Sequence, residues 1–337
     1  MFHLRSRRGA AIATIATAVL LATGCGSSTA EPSASGSPGS GSTVAGSTAP
    51  SGPVTITDAQ GRTVEIKTRP KTVVAIDWSV IRTLNDLGVE VQAVPKPNSA
   101  LPADLAKYEE ATQVGTLFEP NYEAIAAMNP DLVIVGSRSG TPEVVKEFEK
   151  FAPAVIDMSV RSKTPADTVR LTTERVKQLG SIFGKEKQAT DLMAKVSSDI
   201  AKVKKSATDS GRTAMVVQVS DGTVSAYGPG SRFGTIYQDF GYKPTAAPLD
   251  DQGGHGEEIS QEFFVQYNPG VLFVLDRAKV VGQKQTPALD VLNNGLVATT
   301  DAAKNKRVVE IDGFSWYIAT SAPSSWQQMV KDVQGSL

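Results

Sequence analysis

Three arginines lie where predicted β-strands give way to helices. Arg138 and Arg277 each follow an apolar stretch, and Arg232 lies in the glycine-rich turn of residues 228–234. Ligands of parallel α/β sheets gather at the carboxyl ends of the strands, so we expect the three side chains to face one cleft. Guanidinium groups bind anionic oxygens through paired, charge-assisted hydrogen bonds. The pattern therefore predicts a site for a bulky anion of high negative charge.

Aromatic side chains lie at similar corners of the predicted fold. Trp78, Trp316 and Tyr317 could present ring faces or a phenol hydroxyl to the same ligand, or they could belong to the core. His255 lies in the glycine-rich loop of residues 253–258. On the residues alone, this histidine is either a surface residue or a ligand contact.

Composition excludes several kinds of site. The 337-residue chain has a formal net charge of −1, which gives no bulk attraction to nucleic acid or to an anionic membrane. Its single cysteine, Cys25, rules out a disulfide within the chain. Because His3 and His255 are its two histidines, Cys-based and multi-His metal sites are excluded as well.

A secreted hydrolase is the alternative from another functional class. Residues 136–140 read Gly-Ser-Arg-Ser-Gly, which places Arg138 where a nucleophile elbow needs serine. A histidine-dependent triad would have to use His255, for which no partner serine is identifiable. We therefore predict that the protein is not an enzyme.

Two stretches of the chain, residues 123–138 and 262–277, resemble each other. Both contain Glu, Asn-Pro, Val and Arg in the same order and at the same spacing. Each predicts a short helix that opens near the Glu, a Pro that stops the helix, an apolar strand and an Arg at the strand's end. The repeat indicates two similar lobes, with a cleft between them as the first place to look for function.

The order of the predicted elements indicates an α/β fold. Strands alternate with helices in residues 54–184 and again in residues 208–337, which predicts two Rossmann-like lobes with central parallel-type sheets. Residues 185–207 form one amphipathic helical pattern. We expect this long backbone helix to join the lobes as a stiff spine rather than as a hinge.

The N-terminal residues are predicted to stand outside this globule. Residues 1–24 place basic side chains before an apolar run that is too short to span a membrane, which is typical of a signal peptide. Leu-Ala-Thr-Gly-Cys, ending at Cys25, resembles the bacterial lipobox, whose cysteine becomes the lipidated first residue. Ordinary secretion with an incidental Cys25 is the alternative. Residues 25–53 are rich in Ser, Gly, Ala, Thr and Pro and predict a flexible tether.

Taken together, these features resemble the class III substrate-binding lipoproteins that serve ABC importers. Several local motifs resemble the branch of that family that binds ferric catecholate siderophores, the petrobactin- and enterobactin-type binders. These motifs are residues 114–123, 136–138, 231–234, 255–256, 276–282 and 316–317.

The resemblance implies roles for the residues of the cleft. Arg138, Arg232 and Arg277 would neutralise an Fe(III)-siderophore complex of high negative charge, a ligand rather than an intrinsic cofactor, with Trp78 among the binding residues. His255 and Tyr317 would complete the coordination of iron where the siderophore leaves sites open, since imidazole and phenolate are suitable ligands. Another iron chelate, such as a hydroxamate siderophore or haem, and a corrinoid are the alternative ligands.

The resemblance also implies partners outside the cleft. Glu123 and Glu262, one on each lobe, would dock onto arginines of an ABC permease dimer. The protein would act as a monomer, held at the extracytoplasmic face of the cell membrane by a lipid on Cys25, and would bind no nucleic acid.

Overall fold

The structure, a computed structural model, describes residues 52–249 and 256–337. The predicted signal peptide, Cys25, nearly all of the predicted tether and His255 lie outside these residues. Within them, no helix has both the length and the apolar character that crossing a membrane requires.

The N-terminal lobe is built on a parallel sheet that follows a small antiparallel ribbon. The ribbon pairs β1 (Val54–Thr57) with β2 (Thr63–Ile66). The sheet strands are β3 (Val73–Ile76), β4 (Ala93–Val94), β5 (Thr112–Gln113), β6 (Leu132–Val135) and β7 (Val155–Asp157), in the order β5-β4-β3-β6-β7. The helices are α1 (Trp78–Asp86), α2 (Tyr122–Ala127) and α3 (Pro142–Glu149). Because β3 and β6 are parallel neighbours, the turns that follow them meet at one edge of the sheet.

Two consecutive helices connect the lobes. They are α4 (Thr168–Phe183) and α5 (Glu186–Ser210), which is 25 residues long. Gly184 and Gly211 each follow a helix in the left-handed conformation, where glycine meets no steric penalty. The long backbone helix that the sequence predicts is therefore present, and it ends three residues beyond the predicted boundary of 207 because no helix-stopping residue occurs before Gly211.

The C-terminal lobe has a mixed sheet in the order β11-β9-β8-β12-β13, with β10 paired to β8. Its strands are β8 (Thr213–Ser220), β9 (Thr223–Tyr227), β10 (Lys243–Pro244), β11 (Glu257–Glu258), β12 (Val271–Asp276) and β13 (Val308–Glu310). Its helices are α6 (Thr235–Gln238), α7 (Gln261–Tyr267), α8 (Arg277–Val280), α9 (Ala288–Leu292), α10 (Asp301–Lys304) and α11 (Pro323–Gln334), with a π-helical turn at Phe314–Ile318. Both lobes confirm the predicted α/β class, although β9 and β11 run antiparallel to their neighbours.

The two copies of the sequence repeat adopt the same local structure. Asn129 after α2 and Asn268 after α7 both have left-handed backbone conformations, with φ of 48° and 33°. Asparagine tolerates this conformation better than most other residues, and the proline that follows prevents the helix from continuing. Each copy then enters a buried central strand, β6 or β12. The repeat therefore places equivalent residues at equivalent corners of the two lobes.

One of the three apolar clusters in the described residues passes through both lobes. It includes Leu84 of α1, Val196 of α5, Phe273 of β12 and Trp326 of α11, all fully buried. The outward face of α5 carries ion pairs one turn apart, such as Lys187 with Asp191, and these belong to a solvated surface. The spine is therefore packed into the molecule along one side rather than bridging two separate cores.

Arg82 of α1 is buried at the junction of the lobes, with 6% of its surface exposed. Its Nη1 donates to the hydroxyls of Ser315 and Ser325 in the C-terminal lobe, at 2.9 and 3.1 Å. Its Nε donates to Asp104 at 2.9 Å, and its guanidinium lies 5.5 Å from the ring centroid of Phe314. One side chain thus ties α1 to the two C-terminal segments that flank the cleft.

We expect Arg82→Ala to destabilise the fold. The change leaves two buried hydroxyls without their donor and removes the ion pair with the exposed Asp104 carboxylate, which should lower the free energy of unfolding by about 2–4 kcal/mol. Urea denaturation followed by far-UV circular dichroism measures this loss. The matched control is Arg170→Ala, which removes an exposed ion-paired arginine of α4 and should change the free energy by less than about 0.5 kcal/mol. Equal effects of the two substitutions would contradict the assignment of Arg82 as an inter-lobe tie.

Candidate ligand-binding site

Arg138 lies in a tight turn that follows β6. The turn closes on itself because the amide of Gly140 donates to the carbonyl of Gly136 at 2.6 Å. A Cβ on Gly136 would lie 2.3 Å from the side chain of Asp77, so only glycine allows this close approach. The backbone amide of Arg138 points to the buried Asp77 carboxylate at 3.5 Å. The turn is therefore fixed against the start of α1, and the Arg138 side chain is directed by rigid backbone.

Arg232 lies in the glycine-rich turn between β9 and α6. The neighbouring Phe233 is fully buried and packs edge-on against Tyr227, with ring centroids 4.8 Å apart. A Cβ on Gly234 would lie 2.2 Å from the carbonyl oxygen of Pro229, which shows how tightly the turn is folded. Phe233 anchors the turn, while Arg232 itself remains exposed.

Arg277 is the first residue of α8, directly after β12. Asp276 caps this helix, since its Oδ1 accepts from the amide of Lys279 at 3.0 Å. The other carboxylate oxygen accepts from the amide of Ala288 at 2.9 Å, which fixes the corner on a second side. The Arg277 Nη1 donates to the hydroxyl of Ser220, the last residue of β8, at 3.2 Å.

Tyr317 lies in the π-helical turn of residues 314–318. The wider turn is closed by the amide of Ala319, which donates to the carbonyl of Phe314 at 2.7 Å. Trp316, the preceding residue, is buried and donates from Nε1 to Asp332 at 2.8 Å. Such single π-helical turns occur frequently at functional sites. Here the turn keeps Trp316 in the core and directs Tyr317 into the cleft.

The three arginines converge on Tyr317. The guanidinium carbons of Arg138 and Arg232 lie 4.8 and 4.2 Å from its ring centroid. Both side chains also donate to its backbone carbonyl, Arg138 at 2.7 Å and Arg232 at 3.4 Å. Arg277 donates from Nε to the Tyr317 hydroxyl at 3.3 Å. Residues from distant parts of the chain thus form one cationic cluster, which we call the arginine cluster.

The cluster changes the acidity of its own members. Desolvation would raise the pKa of the Tyr317 phenol, but the hydrogen bond from Arg277 and the charges of Arg232, Arg277 and Arg138 together lower it. Partial desolvation, followed by repulsion from Arg138, lowers the pKa of the Arg232 guanidinium. The lowered pKa of Tyr317, and the part of the Arg232 shift that Arg138 causes, reflect a concentration of positive charge that a bound anion would relieve.

The other predicted site residues lie in different surroundings. Trp78 is only 3% exposed and packs edge-on against Phe314, with ring centroids 6.1 Å apart, so it does not present a face to the cleft in this conformation. It opens α1, and the phase of that helix turns the indole into the inter-lobe core. Glu123 and Glu262 are exposed in the first turns of α2 and α7. His255 lies outside the described residues.

Some residues of the site have no clear signal in the sequence. Ser220 contacts Arg277 only because β8 and β12 are neighbours, and the Tyr317 carbonyl is a backbone group. A cavity of about 230 Å³ lies beside Arg232 and is lined also by Thr235, Trp316 and Trp326. In the described part of the chain, no group of three or more His, Cys, Asp or Glu side chains could hold a metal ion.

The chain is similar to known proteins in both sequence and fold. Residues 73–313 match the family described as "Periplasmic binding protein". The chain is 32% identical over 275 residues to the petrobactin-binding protein YclQ of Bacillus subtilis (strain 168), covering 81% of this chain and 84% of YclQ. It is 31% identical over 288 residues to the ferric-anguibactin-binding protein FatB of Vibrio anguillarum (strain ATCC 68554 / 775), covering 83% and 86%.

A solved structure also resembles this chain in its fold. The crystal structure of the periplasmic catecholate-siderophore binding protein VctP of Vibrio cholerae superposes with a TM-score of 0.75 at 31% identity, covering 84% of this chain and 99% of VctP. Sequence and fold therefore agree: the chain belongs to the periplasmic binding protein family.

Proposed function

We propose that this protein captures an Fe(III)-siderophore complex, of the catecholate type, in the cleft between its lobes and delivers it to an ABC importer. The arginine cluster is the observation that carries the proposal. Similar proteins named for petrobactin, ferric anguibactin and catecholate siderophores support it. These relatives are binding proteins, and the function proposed here is binding without catalysis.

Charge complementarity favours a catecholate ligand over a neutral chelate. Iron(III) held by three catecholates has six anionic oxygens around a trivalent ion and carries a net charge of −3. Arg138, Arg232 and Arg277 supply matching positive charge, and each presents hydrogen-bond donors to anionic oxygens. A neutral hydroxamate complex would leave the three guanidinium groups uncompensated, and their mutual repulsion would persist in the complex.

We propose a direct contact with iron where the siderophore does not fill its coordination shell. Tyr317 faces the cleft, and its lowered pKa favours the phenolate that binds metal. His255, which lies outside the described residues, would supply a second ligand. A siderophore that saturates iron would need neither side chain.

We propose that the permease docks at the helix end of each repeat copy, which lies opposite the end that carries the cleft arginine. Glu123 and Glu262 are exposed, and within residues 52–249 and 256–337 neither of them forms an ion pair. A hydrogen bond from Ser260 holds the pKa of Glu262 below its usual range, so this carboxylate stays charged. Two equivalent carboxylates, one on each lobe, suit a permease dimer with two-fold symmetry.

The names of its relatives and its predicted signal peptide support a location outside the cytoplasm. Similar proteins are named as substrate-binding lipoproteins of ABC transporters. We propose that this protein is extracytoplasmic and that a lipid on Cys25 anchors it to the cell membrane.

Loss of one cleft arginine should weaken the binding of ferric catecholate. For Arg138→Ala, Arg232→Ala or Arg277→Ala we expect an affinity about 10- to 100-fold lower, because each change removes charge-assisted hydrogen bonds to the anion. Quenching of intrinsic fluorescence, titrated with ferric catecholate, ferric hydroxamate and ferric citrate complexes, measures the affinities. Arg170→Ala, on the outer surface of α4, is the matched control and should bind ferric catecholate with the affinity of the wild-type protein. Equal affinity of the original protein for a neutral hydroxamate would contradict the charge argument.

Charge reversal at the docking residues should separate transport from binding. We expect Glu123→Arg combined with Glu262→Arg to abolish siderophore-dependent iron uptake, because like charges would then face the arginines of the permease. The affinity of the purified variant for ferric catecholate should stay unchanged. Glu186→Arg, at the start of the backbone helix, matches the charge change of each single reversal and should leave uptake intact. Loss of ligand affinity in the double variant would instead place the two carboxylates in the cleft.

A further inference from the structure

The side chain of Tyr317 already contacts the three guanidinium groups that an anionic aromatic ligand would need to bind. Two guanidinium groups lie over its ring, at 4.2 and 4.8 Å from the centroid, and the third donates to its hydroxyl at 3.3 Å. A phenol differs from a catechol ring by one hydroxyl. The contacts that Tyr317 makes are therefore of the same kind as those that a catecholate ring would make with the same three cations.

We propose that the Tyr317 side chain is a built-in competitor for the arginine cluster, which a siderophore must displace in order to bind. The inference rests on the proposed function and assigns Tyr317 a role in selecting among siderophores. Before displacement, the ring offsets part of the repulsion among the three guanidinium groups. After displacement, the ligand takes over that task.

The backbone and the side chain of Tyr317 have separable roles. Its carbonyl accepts from Arg138 and Arg232, and these bonds do not depend on the position of the ring. The ring is attached through a rotatable bond and is half-buried, so it can turn away while the carbonyl still holds two of the arginines. Trp316 cannot move in the same way, because it is buried and bonded to Asp332.

The charged and titratable groups facing the phenol explain why the contact is strong enough to matter. Besides the three arginines, Tyr227 of β9 is near enough to interact with the Tyr317 hydroxyl electrostatically. Burial raises the pKa of Tyr227, so this neighbour remains neutral and adds no negative charge to the cluster. The positive charge of the cluster therefore acts on the Tyr317 phenol.

Displacement has different consequences for two classes of siderophore. A hexadentate ligand saturates iron and must take the place of the ring without any new bond to Tyr317. A tetradentate ligand leaves iron sites that water fills. There the released Tyr317 hydroxyl can lose its proton to solvent and its oxygen can replace one water molecule on iron. The side chain thus disfavours hexadentate ligands by competition, whereas the contact with iron proposed above favours tetradentate ones.

The test compares two synthetic probes, a ferric tris-catecholate and a ferric bis-catecholate, on the purified protein. For Tyr317→Ala we expect the affinity for the tris-catecholate to rise on the order of tenfold, because two cation–π contacts no longer compete with it. The affinity for the bis-catecholate should fall. Tyr317→Phe keeps the ring and should bind the tris-catecholate within about threefold of the original protein, and it should lose the phenolate-to-iron absorption band seen with the bis-catecholate.

Controls keep the outcome interpretable. Tyr267→Ala removes a tyrosine of α7 that stacks on Phe263 outside the cluster, and it should change neither affinity. Circular dichroism and thermal unfolding check that each variant is folded, and Tyr317→Leu, which also removes the aromatic ring and should show the same rise in tris-catecholate affinity, serves if Tyr317→Ala is not folded. Unchanged or weaker tris-catecholate binding by a folded Tyr317→Ala variant would overturn the competitor role. Failure of the original protein to bind either probe would overturn the proposed function instead.

Discussion

The mutual repulsion of three guanidinium groups is the constraint on which the rest of this structure depends. Arg138, Arg232 and Arg277 lie close enough to contact the same tyrosine, and at such distances like charges repel strongly unless an anion or a dipole intervenes. Within the described residues, these guanidinium groups donate to the carbonyl and the phenol of Tyr317 and to the hydroxyl of Ser220, whose dipoles offset part of the repulsion. The arrangement can persist only because each arginine is carried by backbone that cannot relax away from the others.

The means of holding each arginine are local and differ from corner to corner. Glycines at 136 and 234 let the backbone approach Asp77 and Pro229 more closely than any other residue could. Asp276 fixes the third corner by capping α8 and binding the amide of Ala288. These corners are then related to one another by the sheets beneath them and by Arg82, which joins the lobes. The stiffness of the fold therefore holds the three arginines together against their mutual repulsion.

The sequence predicted which corners matter but not which way every side chain turns. Alternating strands and helices place Arg138, Arg277 and Tyr317 beyond the carboxyl ends of strands in the two sheets, because the parallel strands of a sheet end together. Trp78 occupies an equivalent corner, yet the phase of α1 turns it into the core against Phe314. The carbonyl of Tyr317 could not be predicted either, since its direction depends on a π-helical turn that has no side-chain signature. Local sequence patterns predict which residues lie at the end of a strand, whereas the direction of each side chain depends on how the elements pack together.

The shared core limits how the cleft can respond to a ligand. Apolar side chains from α1, α5 and α11 form one continuous cluster, and Arg82 is buried where the lobes meet. Wide separation of the lobes would expose this core and leave buried hydroxyls without their donor, which is costly. Adjustment is therefore expected in side chains at the cleft. The half-buried ring of Tyr317 and the exposed Arg232 are suited to it. Arg232 has no counterpart in the sequence repeat, so the two lobes contribute unequally to the site even though the repeat places equivalent carboxylates on the outside of each.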